Sequence, residues 1–306
     1  MKTKPSLRRP KNVLAKNRGP FWLMLMPFLI LFFLFKFLPI LSGFVLSFTD
    51  FNGLEAPHFV GLANYTRMFL QDEVFLTTAK NTLFLAFVTG PTSYILSFVL
   101  AWLINELGRR LRLLVLVLVY LPTMCSNLYF VWQYIFNGDA KGFINSTLID
   151  MGLIQEPILW LSDERYTMVV VTIVTIWMGF NVGFLSFVAG LRGLDRAYYE
   201  AAAIDGLKNR WQELYYVTLP QMGPQLMFGA VNAIAGAFTV GNIGAQLTGY
   251  PSTNYSSDTV ILYLSRYAVE EAYELGYAAA LSVVLFLAMV LVWALFKKLL
   301  KSVNAV

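Results

Sequence analysis

Six stretches of the chain carry apolar residues almost without interruption, near residues 21–48, 81–104, 113–136, 166–191, 223–247 and 276–296. Each is long enough for the ~20 residues with which an α-helix crosses the hydrocarbon of a bilayer. The pattern therefore predicts an all-α polytopic membrane protein with six transmembrane helices. The first stretch is too long for a signal-peptide core and lacks a small-residue cleavage site, so it reads as a retained span. Backbone breakers fall inside three others: Gly90-Pro91 in the second, Pro122 in the third, Gly179 and Gly183 in the fourth. Lipid tolerates these only where neighbouring helices or a cavity satisfy the freed backbone groups.

One polar interruption differs from ordinary loops. EAAAIDGLKNRWQELYYVTLP, Glu200 to Pro220, reads as two short helices at an angle. Asp195 is placed to cap the first, which is Ala-rich through Asp205, and Gly206 supplies the left-handed residue that ends it. Asn209 opens the second with Gln212 three residues on, a capping-box-like pair, and Pro220 is expected to stop it before the fifth span. The second helix should present Trp211, Leu214, Tyr215 and Thr218 on one face. That face is more apolar than a free loop should show, so a partner is expected to cover it.

Composition agrees with the span pattern and removes alternatives. At 58% hydrophobic and 13% charged residues, the 306-residue chain cannot dress a water-soluble domain in polar surface. A single cysteine, Cys125, excludes an intramolecular disulfide framework, and with one histidine, His58, no Cys/His metal cluster is available. Cys125 reads as packing in the third span and His58 as an outer-loop residue with no special role. The acceptor patterns at Asn64, Asn145 and Asn254 match glycosylation by chance-level spacing and carry no weight.

Net charge is +5, and its placement matters more than its size. Residues 1–20, the even-numbered loops and the C-terminus hold 17 of the 23 Lys and Arg residues, whereas 13 of the 18 acids sit in the odd-numbered loops. The positive-inside rule then puts both termini in the cytoplasm, with residues 1–20 as a basic cytoplasmic tail and the remainder, 21–306, as the membrane domain. The Glu200–Pro220 segment, within a loop at 192–222, faces the cytoplasm too, and nucleic acid is not an expected partner. The odd-numbered loops hold five more, which leaves Lys36, roughly 22 Å along the first helix. It can snorkel to the outer interface or act as a buried cation.

Glu200-Ala201-Ala202, then Gly206, then Val217 and Leu219-Pro220 resemble the EAA loop of permease subunits of binding-protein-dependent ABC importers. The family signature places nine residues between the glycine and an isoleucine; here ten separate Gly206 from Val217. Val45 to Asp50 (VLSFTD), Phe59 to Tyr65 (FVGLANY), Asn81-Thr82-Leu83, Gly142 to Asn145 (GFIN) and Leu275 to Ala278 (LGYA) resemble, in order, the larger permease of the maltose-type carbohydrate importers. The resemblance covers nearly the whole chain.

The resemblance implies a type I ABC importer transmembrane fold in a bacterial cytoplasmic membrane. It also implies a second homologous permease, two ATPase subunits and an extracytoplasmic solute-binding protein, with the acidic outer loops at 139–165 and 250–275 facing that protein. No G-x-x-x-x-G-K-[ST] occurs in the sequence, so ATP and Mg belong to the partner ATPase and this subunit binds no cofactor. Glu200, Ala201, Ala202, Asp205, Gly206, Trp211, Leu219 and Pro220 are the expected ATPase-coupling residues. A sugar substrate needs hydroxyl partners and flat apolar faces. The mid-membrane candidates are Asn127 and Tyr129, Trp177 and Asn181, and Asn232, Thr239 and Asn242. The Gly/Ala-rich fifth span allows either close helix packing or a roomy cavity. A phosphorylated solute such as glycerol phosphate is the alternative cargo, disfavoured because no basic cluster lies at membrane depth. A secondary transporter would need acids or histidine inside the spans, and an intramembrane enzyme a nucleophile with a base or a carboxylate pair at that depth. Neither pattern is present.

Overall fold

The computed structural model describes residues 18–124, 129–180, 182–270 and 273–303. Among these the chain is helical, with no named strand and one isolated bridge between Thr49 and Phe59. In chain order the helices are α1 (Arg18–Phe32), α2 (Leu38–Leu46), α3 (Ala63–Leu70), α4 (Glu73–Asn105), α5 (Arg109–Met124), α6 (Tyr129–Ile135), α7 (Phe143–Asp150) and α8 (Glu164–Trp177). They continue with α9 (Val182–Gly193), α10 (Arg196–Ile204), α11 (Arg210–Glu213), α12 (Leu219–Gln221), α13 (Gly223–Phe238), α14 (Asn242–Thr248), α15 (Val260–Ser265) and α16 (Leu275–Val303). Single π turns lie at Phe33–Phe37, between α1 and α2; at Leu214–Thr218, between α11 and α12; and at Arg266–Glu270, after α15.

These helices cover all six apolar stretches, with altered boundaries. Trp22–Leu46, Glu73–Asn105 and Leu275–Lys298 are long, apolar and continuous, and α8 with α9 makes a fourth segment of that length on either side of residue 181. The fifth bends by 42° between α13 and α14. The stretch expected at 113–136 begins earlier, at Arg109, and comprises α5 and α6 flanking residues 125–128. The second span also begins earlier, at Glu73, because Asp72 accepts a hydrogen bond from the Phe75 N–H and caps α4 there.

The longest helix, α4, is the hub. Its first turns bury Phe75 with Tyr263, Tyr277 and Leu281; its middle places Leu85 against Val170, Val171 and Val174; its last turns pack Phe98, Ala101 and Ile104 on Phe184, Phe187 and Met222. Glycines set the spacing of this centre. A Cβ on Gly90 would touch the Ala237 Cβ at 3.4 Å, and one on Gly229 would lie 2.3 Å from the Phe187 ring. By contrast, the apolar centre of the first span has no buried residue in this chain, its α2 half packs on α16, and Lys36 is exposed within a π turn.

Outside the spans, three asparagines from the recognised motifs act as loop braces. Asn64 Nδ2 donates to the Ser47 and Thr49 carbonyls, and Asn81 Nδ2 donates to those of Tyr255 and Asp258. Asn145 is fully buried, which leaves no room for a glycan on it. Asp72 accepts from both the Tyr263 and Tyr277 hydroxyls at 2.6 Å, and Arg67 pairs with Glu274 while lying 4.4 Å over the Tyr277 ring. Burial opposes the charge on Arg67. The hydrogen bond and charge of Glu274, with Tyr267 and Tyr277, outweigh it and hold the guanidinium pKa above its ordinary value.

Candidate coupling and translocation sites

The polar segment forms the expected helix pair. Asp195 Oδ1 accepts the Ala197 N–H at 3.0 Å and caps α10. At the other end Leu207 N donates to the Ala202 carbonyl at 3.0 Å and Gly206 N to that of Ala203 at 3.2 Å, a Schellman closure, with Gly206 at φ +96°. Asn209 Oδ1 then accepts the Gln212 N–H at 2.8 Å, and the Gln212 side chain accepts from the Lys208 N–H at 2.8 Å. Arg210 bridges Glu213 at 2.8 Å and Glu106 at 3.1 Å, tying the second helix to the end of α4. The Glu213 hydrogen bond, followed by the Glu106 charge, raises its pKa. A hydrogen bond of 2.9 Å between the Tyr199 and Thr218 hydroxyls joins the two helices.

The expected apolar face needs correction. Trp211 and Tyr215 are exposed, as expected, but Leu214 is half-buried and Thr218 is buried by its bond to Tyr199. The exposed aromatic partner of Tyr215 is Tyr216, edge-on at 5.1 Å, and Trp211 lies 5.2 Å from the Trp102 ring of α4. On the first helix Glu200, Ala201, Ile204 and Asp205 are exposed and Ala202 is buried. Among the described residues the exposed Glu200 carboxylate has no ion-pair partner.

Pro220 does not stop the second helix. The helix continues through the π turn at Leu214–Thr218, in which the Leu219 N–H reaches the Leu214 carbonyl, into α12. A proline lacks an N–H and crowds the carbonyl four residues back, here that of Tyr216. A π turn takes one residue more than the α turn it replaces and widens that site. The tenth residue between Gly206 and Val217 is accommodated here, leaving Val217 and Thr218 buried and Leu219-Pro220 at the mouth of the fifth span. The ten-for-nine spacing was the signal for this feature in the sequence.

A second site lies at membrane depth. A cavity of about 580 Å³ opens between α4, α8, α9, α13 and α15, where both interrupted spans have their breaks. Gly179 borders it at the first break and Thr239, Val240 and Gly241 at the second. Ser93, Ser97, Thr175 and Ser265 add hydroxyls. Thr175 is 6% exposed and its Oγ1 has no hydrogen-bond partner among the described residues. The buried threonines Thr78, Thr82, Thr89 and Thr172 instead donate to carbonyls three or four residues back in their own helices. A buried hydroxyl without a partner is costly unless a ligand or water completes it.

Of the sequence candidates, Thr239 and Asn242 line this cavity. Asn127 and Asn181 lie outside the described residues, as does Cys125. Trp177 is 53% exposed and packs edge-on to Trp132 at 6.0 Å, Tyr129 is half-buried at the start of α6, and Asn232 Nδ2 donates to the Phe228 carbonyl of its own helix. None of these three borders the cavity. Both readings of the Gly/Ala-rich span apply at different heights: Gly229 permits contact with Phe187, while Ala233 and Gly236 make cavity wall.

A bundle of spans, two of them broken around one cavity and joined by a capped helix pair, defines a membrane-embedded transport subunit. Residues 93–303 match the family described as binding-protein-dependent transport system inner membrane component, and the chain belongs to that family. It is 29% identical to the lactose transport system permease protein LacF of Rhizobium radiobacter, covering 87% of this chain and 89% of that one. It is 32% identical to the inner membrane ABC transporter permease protein YcjO of Escherichia coli K12, with 85% and 87% covered. The arabinooligosaccharides transport system permease protein AraP of Bacillus subtilis is 29% identical over 93% of this chain and 89% of its own. Among solved structures, a chain of a bacterial alginate ABC transporter, crystallised with an alginate pentasaccharide-bound periplasmic protein, matches with TM-score 0.74 and 22% identity over 96% of this chain and 99% of that chain. This likeness establishes the type I importer fold.

Proposed function

We propose that this chain is one of two membrane-spanning subunits of an ATP-driven importer for a sugar or oligosaccharide, handed over by an extracytoplasmic solute-binding protein. The observation that carries the proposal is continuity. The helix pair begins two residues after α9 ends and runs through α12 almost directly into α13, so it joins the two spans that break at the cavity. A push on the pair therefore reaches both walls, as a rigid two-state lever requires. The pair is the docking element for an ATPase subunit, with Glu200, Ala201, Asp205 and Trp211 at the contact and Gly206 fixing the angle. Two ATPases, holding ATP and Mg, supply the energy; this chain catalyses no reaction. Both termini face the cytoplasm, in line with the Lys and Arg distribution. The acidic outer loops at 139–165 and 250–275 face the binding protein.

Relatives named for lactose, arabinooligosaccharides and sulfoquinovosyl glycerol support a glycoside as cargo. The cavity supports it independently, since hydroxyl and amide groups line it and, among the described residues, no lysine or arginine does. That lining disfavours the phosphorylated alternative, and Thr175, Thr239 and Asn242 are the residues assigned to contact the sugar. Thr175→Val tests this in the reconstituted assembly. Removing an unpartnered buried hydroxyl should leave the melting temperature of the sugar-free complex equal or higher. It should also raise the half-saturating concentration for uptake about tenfold. Unchanged uptake in this variant would remove Thr175 from the sugar's path.

A further inference from the structure

A second cavity, of about 480 Å³, lies on the cytoplasmic side where α9 ends, α10 begins and α12 passes into α13. Its polar wall consists of Ser186, Asp195, Tyr198, Gln221 and Gln225. The Gln225 Oε1 is buried and has no hydrogen-bond partner among the described residues, although an amide oxygen so placed calls for an O–H or N–H donor. Gly190 holds the amide there: a Cβ at that position would come within 2.7 Å of Gln225 Cγ. Asp195 Oδ1 is engaged by the Ala197 N–H, and among the described residues no lysine or arginine lines the cavity, which favours a neutral ligand rich in donor hydroxyls over an anion. Gln225 stands four residues, about 6 Å of helix, from Gly229 in the wall of the intramembrane cavity.

We infer that this cavity is a product-side saccharide subsite, in which a sugar hydroxyl donates to Gln225 Oε1 while Ser186, Gln221 and Tyr198 hold the ring's other hydroxyls. The inference rests on the importer reading and on sugar as its cargo. A sugar seated there touches α9, α13 and the first turn of the lever together. It therefore opposes their relative motion, and accumulated product slows further import.

The test uses the complete transporter in proteoliposomes oriented with the ATPases outward and the binding protein sealed inside. Each vesicle is loaded with whichever of radiolabelled lactose or arabinotriose the assembly carries faster. Unlabelled sugar of the same kind, added on the ATPase side, should inhibit ATP-driven export of the label from the lumen. In Gln225→Met, similar in length but without the amide, the half-inhibitory concentration should rise about tenfold more than the half-saturation on the binding-protein side. Gly190→Val, which displaces Gln225 while leaving it in the chain, should shift inhibition in the same direction. Indifference of the wild type to outside sugar, or equal inhibition in wild type and Gln225→Met, would overturn the subsite while leaving the importer intact. A wild-type assembly that moves neither sugar would overturn the sugar reading itself and this inference with it.

Discussion

Gly206→Val and Glu200→Lys should each abolish most sugar uptake while leaving the chain inserted in the membrane, because neither alters the apolar spans. At φ +96° Gly206 occupies a region that a β-branched residue reaches only with strain of about 1–3 kcal/mol. Open space surrounds the missing Cβ, so the cost is conformational and not a clash. The chain can relieve it only by giving up the Schellman closure, which re-aims α11. Glu200 acts differently. It is exposed and without an ion-pair partner among the described residues, so its reversal leaves the subunit's own fold alone and, under the proposed docking, replaces an acceptor at the ATPase contact with a cation. An unpaired charge buried across such an interface costs about 2–5 kcal/mol, or roughly 30- to several-thousand-fold in affinity. Co-purification of the ATPase should fall with Glu200→Lys. Gly206→Val should retain more of the ATPase but hydrolyse ATP without matching uptake. Wild-type coupling in both variants would remove the helix pair from energy transfer.

Asn145→Ala should be the most damaging substitution outside the membrane. The Asn145 side chain is fully buried, and its Nδ2 donates to the carbonyls of Asn137, Asp139 and Ile158 at 3.3, 3.2 and 3.0 Å. Its Oδ1 accepts from the Ile158 N–H at 3.2 Å and the Trp160 Nε1 at 2.8 Å. Alanine leaves several of these groups buried without partners, at a cost of about 1–3 kcal/mol each before relaxation. A net loss on the order of 4 kcal/mol is expected, since the loop can admit water to part of the site. Asp139, Glu156 and Asp163 lie in or beside this loop, so weakened capture of the loaded binding protein should accompany the loss. Limited proteolysis between residues 137 and 160, compared in wild type and variant, checks it. Equal protection would show that the asparagine is dispensable.

The apolar stretches foretold the long helices at membrane depth because lipid demands long apolar runs whatever the tertiary contacts; the short α15, which borders the cavity, lies outside them. Their ends were harder to read. Asp72 caps α4 well before hydropathy rises, and Arg109 and Arg110 begin α5 as charged residues. The helix pair was legible through its caps, since Asp195, Gly206 and Asn209 act locally in their own turns. Pro220 was misread for the complementary reason: a π turn is an adjustment between a proline and its helix, and only the ten-residue spacing hinted at it. The cavity was the least legible feature. Its hydroxyls come from four separate helices, and serine and threonine are ordinary in spans, so Thr175 carries no signal until its missing partner is seen. Trp177 and Asn232 stood out by residue type yet do not border the cavity, because residue type alone does not fix which side of a helix a side chain occupies.

The most direct measurement is sugar uptake into proteoliposomes assembled with and without the ATPase pair, with the binding protein supplied outside and ATP sealed within. Import coupled through the helix pair requires accumulation only when both permeases, both ATPases, the loaded binding protein and ATP are present together, with none when ATP is replaced by ADP. Accumulation by this chain and its partner permease alone, driven by an imposed proton or sodium gradient, would contradict it.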